Sequence, residues 1–119
     1  MSERFTDLAN LERLFKGDRS RVEDWIRLYF QEAPQYFERM QVGLRTGDVN
    51  ALAAAAHDLC PQAHYLGSSR MLELLVAVEA QAREQGTAAC ADTLQALLSL
   101  SENINSELHE ALGTAKRPI

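Results

Sequence analysis

Cysteine is scarce in this sequence, and long apolar runs are absent. Cys60 and Cys90 form no Cys-x-x-Cys pair, so two free thiols are expected. No hydrophobic run approaches the length of a membrane span, and the first residues, MSERFTDLANLERLF, carry charges throughout, unlike a signal peptide. We therefore expect a cytoplasmic protein with no membrane partner.

Positive charge is in deficit, because 12 lysines and arginines stand against 17 acidic residues, for a net charge of −5. An acidic surface repels phosphate backbones, so nucleic acid is not an expected partner. The sequence has no glycine-rich ATP-binding loop and no acidic metal-binding motif. We therefore expect no kinase activity and no cofactor.

A chain of 119 residues, 46% of them hydrophobic, is long enough for one domain with its own core. We expect this domain to span residues 1–119, with fraying over the N-terminal few residues and over 113–119. The initial methionine and the short polar tail favour a free-standing protein.

Three prolines and six glycines divide the chain into five stretches with helical periodicity, and none alternates as a strand does. The stretches cover residues 5–16, 20–47, 48–66, 68–85 and 87 to the tail. Four long amphipathic helices with short loops predict an all-α fold, an antiparallel up-down four-helix bundle, with the short N-terminal helix capping one end.

Polar residues at the starts of these stretches predict the helix caps. Ser20 and Glu23 have the spacing of a capping box, while Asp48 and Thr87 are the expected N-caps of the third and fifth helices. Pro34 lies inside the second stretch, where the periodicity continues past it, so we expect a bent helix rather than two helices.

The third helix carries the residues that point to a chemistry. Its apolar row must face the core and consists of Leu52, Ala56, Leu59, Ala63 and Leu66. At about 100° per residue, His57 and His64 then point outward and Cys60 lies on the flank.

An outward-pointing imidazole is a nitrogen nucleophile near neutral pH, because its ordinary pKa lies just below 7. No loop that would stabilise an oxyanion is visible in the sequence, so phosphoryl transfer fits better than acyl transfer. His57 is therefore a candidate phosphate carrier, beside the plainer interpretation of a solvated surface histidine.

The segment AHDLCPQAHYLGSSRMLELLVAVE, residues 56–79, resembles the signature of histidine-phosphotransfer (Hpt) domains. In that family an apolar residue follows the phosphorylated histidine at +2, an apolar residue and glycine follow at +9 and +10, and a second helix carries spaced leucines. The matching residues are His57, Leu59, Leu66, Gly67, Leu72, Leu75 and Glu79. Residues 29–37, YFQEAPQYF, and the Gly47-Asp48 turn resemble the family too, so the resemblance covers nearly the whole chain.

The resemblance implies that His57 carries a phosphoryl group to or from a receiver-domain aspartate in a two-component phosphorelay. The partners that it implies are a response-regulator receiver domain, a hybrid histidine kinase, or both. The protein would then be a phosphocarrier and not an enzyme with kinase activity of its own.

Two positions beside His57 depart from the family pattern. Cys60 replaces the lysine at +3, and a thiol cannot donate the charge-assisted bond of a lysine. Pro61 replaces the glycine at +4, which removes a helical amide. The expected neighbours of the site are thus Cys60, Pro61, His64 and Gly67, with His64 as a substitute cation, an alternative acceptor or a solvated histidine.

Two other functions stay open on the sequence alone. A degenerate Hpt-like binding module would dock a receiver domain or other partner without carrying phosphate, as the loss of the lysine and glycine favours. A metal site would use His57, Cys60 and His64 in H-x2-C-x3-H spacing, which suits zinc or copper, although our prediction is that no metal is bound.

Overall fold

The computed structural model describes residues 5–113 and contains five α-helices and one short 3-10 turn. The helices are α1 (Leu8–Leu14), α2 (Arg19–Thr46), α3 (Val49–Leu66), α4 (Ser69–Gln85) and α5 (Ala91–Leu112), and the 3-10 turn covers Thr87–Cys90. The all-α prediction is confirmed. The expected fraying of the ends falls mainly on residues 1–4 and 114–119, outside the described range.

Helices α2 to α5 form a closed ring around a common core. Helix α3 packs between α2 and α4, and α5 completes the ring by packing against both of the same neighbours. Short turns join successive helices, so each runs antiparallel to the one before it. The predicted four-helix bundle is therefore confirmed, with α3 and α5 at opposite corners.

Helix α1 lies against the C-terminal end of α3. The Asp7 amide donates a hydrogen bond of 2.8 Å to the carbonyl of Leu66, the last residue of α3. Helix α1 packs on both α3 and α2. The N-terminal helix thus covers an end of the α2–α3 pair.

The rotation of α3 about its axis follows from its apolar row. All five members of the row are at most 1% exposed: Leu52, Ala56, Leu59, Ala63 and Leu66. They belong to one hydrophobic cluster that also includes residues of the other four helices. The predicted inward face of α3 is confirmed, and its opposite face is left to solvent.

A glycine brings α2 close to the beginning of α3. A Cβ atom added at Gly43 would lie 2.9 Å from the backbone nitrogen of Leu52. No side chain larger than hydrogen fits there without moving one of the two backbones. Gly43 therefore fixes how closely α3 sits on α2.

Some predicted helix caps are confirmed and others are wrong. Asp48 caps α3, with its side chain accepting from the Ala51 amide at 3.0 Å. Asp18, and not Ser20, caps α2, so the predicted capping box is wrong. Glu23 instead pairs with Arg19 at 2.9 Å. Thr87 does not cap α5, because the 3-10 turn intervenes and α5 has no side-chain cap.

Both helix-interior prolines lie in continuous helices. Pro34 lies within α2 and Pro61 within α3, and each helix continues past its proline. Each ring lies on an exposed side of its helix, where water can satisfy the carbonyl that loses its partner. Within the described residues 5–113, none of the helices has the length and apolar character needed to cross a membrane.

Candidate functional site

His57 projects from the solvent face of α3, with 69% of its side chain exposed. Its Nδ1 lies 3.2 Å from Oε1 of Glu79, a residue of α4. The side chain of Glu79 is 28% exposed. One edge of the imidazole is thus held by the neighbouring helix, while the ring remains open to an approaching molecule.

The contact fixes which ring nitrogen can act as a nucleophile. A carboxylate only accepts hydrogen bonds, so Nδ1 carries the proton of the Nδ1–Oε1 bond. The lone pair of a neutral His57 is then on Nε2, the nitrogen turned away from Glu79. Nε2 is thus the ring nitrogen available to an electrophile that approaches from the solvent side.

His57 and Glu79 meet because α3 and α4 form an antiparallel pair. Gly67 and Ser68 make the turn between the two helices, and His57 and Glu79 lie at nearly equal distances before and after it. In the sequence, Glu79 stands out only as a motif match, and its place at the site was missed. Counting outward from the Gly67-Ser68 turn would have found it.

Cys60 lies one turn after His57 and is a neutral thiol at physiological pH. Its Sγ–H points to the Ala56 carbonyl, with Sγ and O 3.5 Å apart. Burial raises the pKa of the Cys60 thiol, and the negative charge of Glu79 raises it further. The residue therefore supplies neither a cation nor a thiolate beside His57.

Pro61 is exposed within α3 and leaves the His57 carbonyl without its usual helical donor. In an unbroken helix, the amide of residue 61 would donate to the carbonyl of residue 57. The carbonyl lies on the solvent face, so hydration can replace the lost bond. Pro61 therefore changes the surface beside the imidazole but does not interrupt α3.

The structure does not bring the other two predicted site neighbours to the imidazole. His64 is exposed on α3 about 10.5 Å further along the axis. Gly67 adopts φ +65°, and a Cβ there would lie 2.7 Å from that of Asp7. Gly67 thus serves the turn and the packing of the segment before α1, rather than the surface around His57.

The spacing of His57, Cys60 and His64 does not build a metal site in the described part of the chain. No group of three or more His, Cys, Asp or Glu side chains in residues 5–113 is arranged to hold a metal ion. His57 and His64 lie two helical turns apart, which is too far for one ion. The metal-binding alternative is therefore not supported by the geometry.

A four-helix bundle with an exposed, carboxylate-held histidine in the middle of one helix has the architecture of a phosphotransfer-type module of two-component signalling. The family model of the Hpt domain matches residues 24–115, so this chain belongs to the Hpt domain family. Members of that family are phosphocarriers rather than enzymes and interact with receiver domains and histidine kinases. Comparisons with curated proteins and with solved structures found no match.

Proposed function

We propose that His57 accepts a phosphoryl group from a receiver-domain aspartate and passes it on to another receiver domain. The observation that carries this proposal is the imidazole of His57, whose side chain is 69% exposed and whose Nδ1 lies 3.2 Å from Glu79 Oε1. This contact leaves Nε2 as the nitrogen with the free lone pair. The partners are response-regulator receiver domains, including those of hybrid histidine kinases, and the cytoplasm is the compartment in which the protein would meet them.

The proposed transfer needs no general base, because the attacking nitrogen already has a lone pair. The Nε2 lone pair attacks the phosphorus of an aspartyl phosphate, an N–P bond forms, and the P–O bond to the aspartate breaks. The aspartate leaves as a carboxylate with the bonding electron pair. The Nδ1 proton stays between His57 and Glu79, and the Glu79 carboxylate stabilises the positive charge that the ring gains.

The surface around α3 has apolar residues suited to a protein partner. The exposed large hydrophobic residues are Leu14, Leu28, Tyr65 and Val76, each at least 41% exposed. They lie on α1, α2, α3 and α4, and none in the described chain lies on α5, the helix opposite α3. Three of them, Leu14, Leu28 and Tyr65, line one surface pocket between α1, α2 and α3. Clustered exposed apolar residues are typical of a protein-docking surface, which supports docking of a receiver domain on this side of the bundle.

Incubation with a radiolabelled, phosphorylated receiver domain tests the proposal. The wild-type protein should gain acid-labile, base-stable phosphate, the signature of an N–P bond. His57→Gln should gain none, and His64→Gln should be labelled like the wild type. Loss of labelling in a folded His64→Gln variant, with labelling retained in His57→Gln, would identify His64 as the acceptor.

A binding module without phosphate transfer is the second candidate. Cys60 and Pro61 favour it, because the first supplies no charge and the second places a ring beside the imidazole. This candidate requires receiver-domain binding that His57→Gln leaves intact, with no phosphate on the wild-type chain. Calorimetric titration with a receiver domain, combined with the labelling assay, separates the two candidates.

A further inference from the structure

An arginine lies on the carboxylate that holds His57. Arg83 follows Glu79 by one turn of α4, and its Nε is 3.7 Å from Glu79 Oε2. The other oxygen of the same carboxylate is the one that contacts His57. Apart from the His57 contact, the other side-chain ion pairs within residues 5–113 lie away from the site. Four of them join residues of α2 or its N-cap, Asp18, and one joins Arg70 to Glu73 in the first turns of α4. Arg83 is thus the arginine that the described structure ties to the site.

Phosphorylation of His57 would add negative charge that a nearby cation can balance. A phosphoryl group adds a charge of about −1.5 to −2 near neutral pH. A phosphoryl group on Nε2 of His57 would lie across the imidazole ring from the negative Glu79 carboxylate, which contacts Nδ1. Cys60, which stands where the family has its lysine, is a neutral thiol and cannot balance that charge.

Arg83 is free to reach a new anion. Its side chain is 50% exposed, and within residues 5–113 its guanidinium donates no hydrogen bond, because 3.7 Å is longer than a hydrogen bond. An exposed contact of this kind contributes little to stability, so little is lost when it breaks. The planar fork of N–H donors matches the oxygens of a phosphoryl group.

We propose that Arg83 supplies, from α4, the cation that stabilises the phosphoryl group on His57, a role that the family gives to the lysine at +3 on α3. The inference rests on the proposed phosphotransfer function. It accounts for the cysteine at position 60, because a cation that comes from the neighbouring helix removes the need for one on α3.

Arg83→Gln is the direct test, and Arg70→Gln is its matched control. Arg70 lies on the same helix in the same kind of exposed pair, 3.4 Å from Glu73, a residue that contacts no histidine. Glutamine is a good helix former, so both variants should fold. Arg83→Gln should lower phosphate occupancy at equilibrium and phosphohistidine lifetime by about 3- to 10-fold, the effect of one partly exposed charge-assisted bond. Arg70→Gln should leave both unchanged.

A second substitution restores the charge from the other helix. Adding Cys60→Lys to Arg83→Gln returns a cation one turn from His57. The double variant should recover most of the lost occupancy and lifetime, whereas Cys60→Lys alone should raise them less, because Arg83 is already present. Arg83→Lys should retain part of the wild-type lifetime, since a lysine keeps the charge but not the two-pronged geometry.

The outcomes separate this inference from the proposed function. If the wild type is labelled on His57 and Arg83→Gln matches it in occupancy and lifetime, the inference is wrong and the function stands. Equal losses in Arg83→Gln and Arg70→Gln would reveal a general effect of surface charge, which also overturns the inference, as does a failure of Cys60→Lys to rescue. If the wild type takes up no phosphate, both the proposed function and the inference about Arg83 are wrong.

Discussion

At the scale of single residues, the chemistry of the site depends on one carboxylate. Glu79 faces three groups: the imidazole of His57, the guanidinium of Arg83 and, through its charge, the thiol of Cys60. It orients the first, pairs loosely with the second, and disfavours ionisation of the third. A single substitution at Glu79 should therefore be visible in the behaviour of all three.

The thiol gives the simplest measurement of that effect. In a Cys90→Ala background, alkylation of Cys60 should reach half its maximal rate at a pH above the ordinary cysteine range, because burial and the Glu79 charge both raise its pKa. Glu79→Gln should move this midpoint to lower pH but not back to the ordinary value, since burial is the larger cause. Rates are measured against pH with a small alkylating reagent.

The sign of the linked stability follows from the same shift. The folded protein holds the Cys60 proton more tightly than the unfolded chain does, so its free energy of unfolding should fall as pH rises through the range where the unfolded thiol ionises. An alkylation midpoint in the ordinary range, unmoved by Glu79→Gln, would show that the thiol does not sense the carboxylate.

At the scale of secondary structure, α3 lacks one helical hydrogen bond beside the candidate site. Pro61 removes one helical hydrogen bond from an exposed position. Pro61→Ala should therefore raise the free energy of unfolding by about 1–3 kcal/mol. Ala54→Pro, which creates the same defect at another exposed position of α3, should lower it by about 3 kcal/mol. Urea denaturation measures both.

An unchanged stability in Pro61→Ala would mean that the His57 carbonyl is already well satisfied by water. The same variant is informative in the phosphate assay. If stability rises while labelling is unchanged, the proline affects only the helix, and the departure at this position says little about phosphate transfer.

The helices themselves were predictable from the sequence because the evidence for them recurs at every turn. The row from Leu52 to Leu66 repeats its signal over five residues, so the rotation of α3 was correct. A cap depends on one hydrogen bond, and two polar residues near the start of α2, Asp18 and Ser20, compete for it. In the structure the side chain of Asp18 accepts from the Arg21 amide, so the capping-box spacing of Ser20 and Glu23 predicted the wrong N-cap.

The candidate site was predictable only in part, for a different reason. Exposure of His57 follows from the periodicity of one helix, but its contacts depend on how two helices are paired. Glu79 and Arg83 lie on α4 and enter the site only through the antiparallel pairing with α3. The departures at Cys60 and Pro61 were visible in the sequence, whereas a cation from the neighbouring helix was not.

At the scale of the whole molecule, the two opposite corners of the bundle differ in their surfaces. Leu28→Asp, at a site 47% exposed on α2, should weaken receiver-domain binding by roughly tenfold, as for one apolar contact of an interface. Ala96→Asp adds the same charge at an exposed position of α5, away from α3, and should leave binding unchanged. Calorimetric titration of the three proteins against one receiver domain compares the affinities.

Equal weakening by Leu28→Asp and Ala96→Asp would mean that the added negative charge, and not the docking surface, controls binding. Unchanged affinity for both would put the contact surface elsewhere than the surface formed by Leu14, Leu28 and Tyr65.

The close approach of α2 and α3 at Gly43 has a consequence for which substitutions the protein tolerates. Gly43 and Gly47 lie one turn apart, yet they are glycines for opposite reasons. Gly47 has φ +73° with open space around it, so asparagine, which accepts this conformation, should survive there. Gly43 has an ordinary helical conformation and a neighbouring backbone 2.9 Å from any added Cβ. In a library of all single substitutions, position 43 should reject every replacement, alanine included, while position 47 should admit a few.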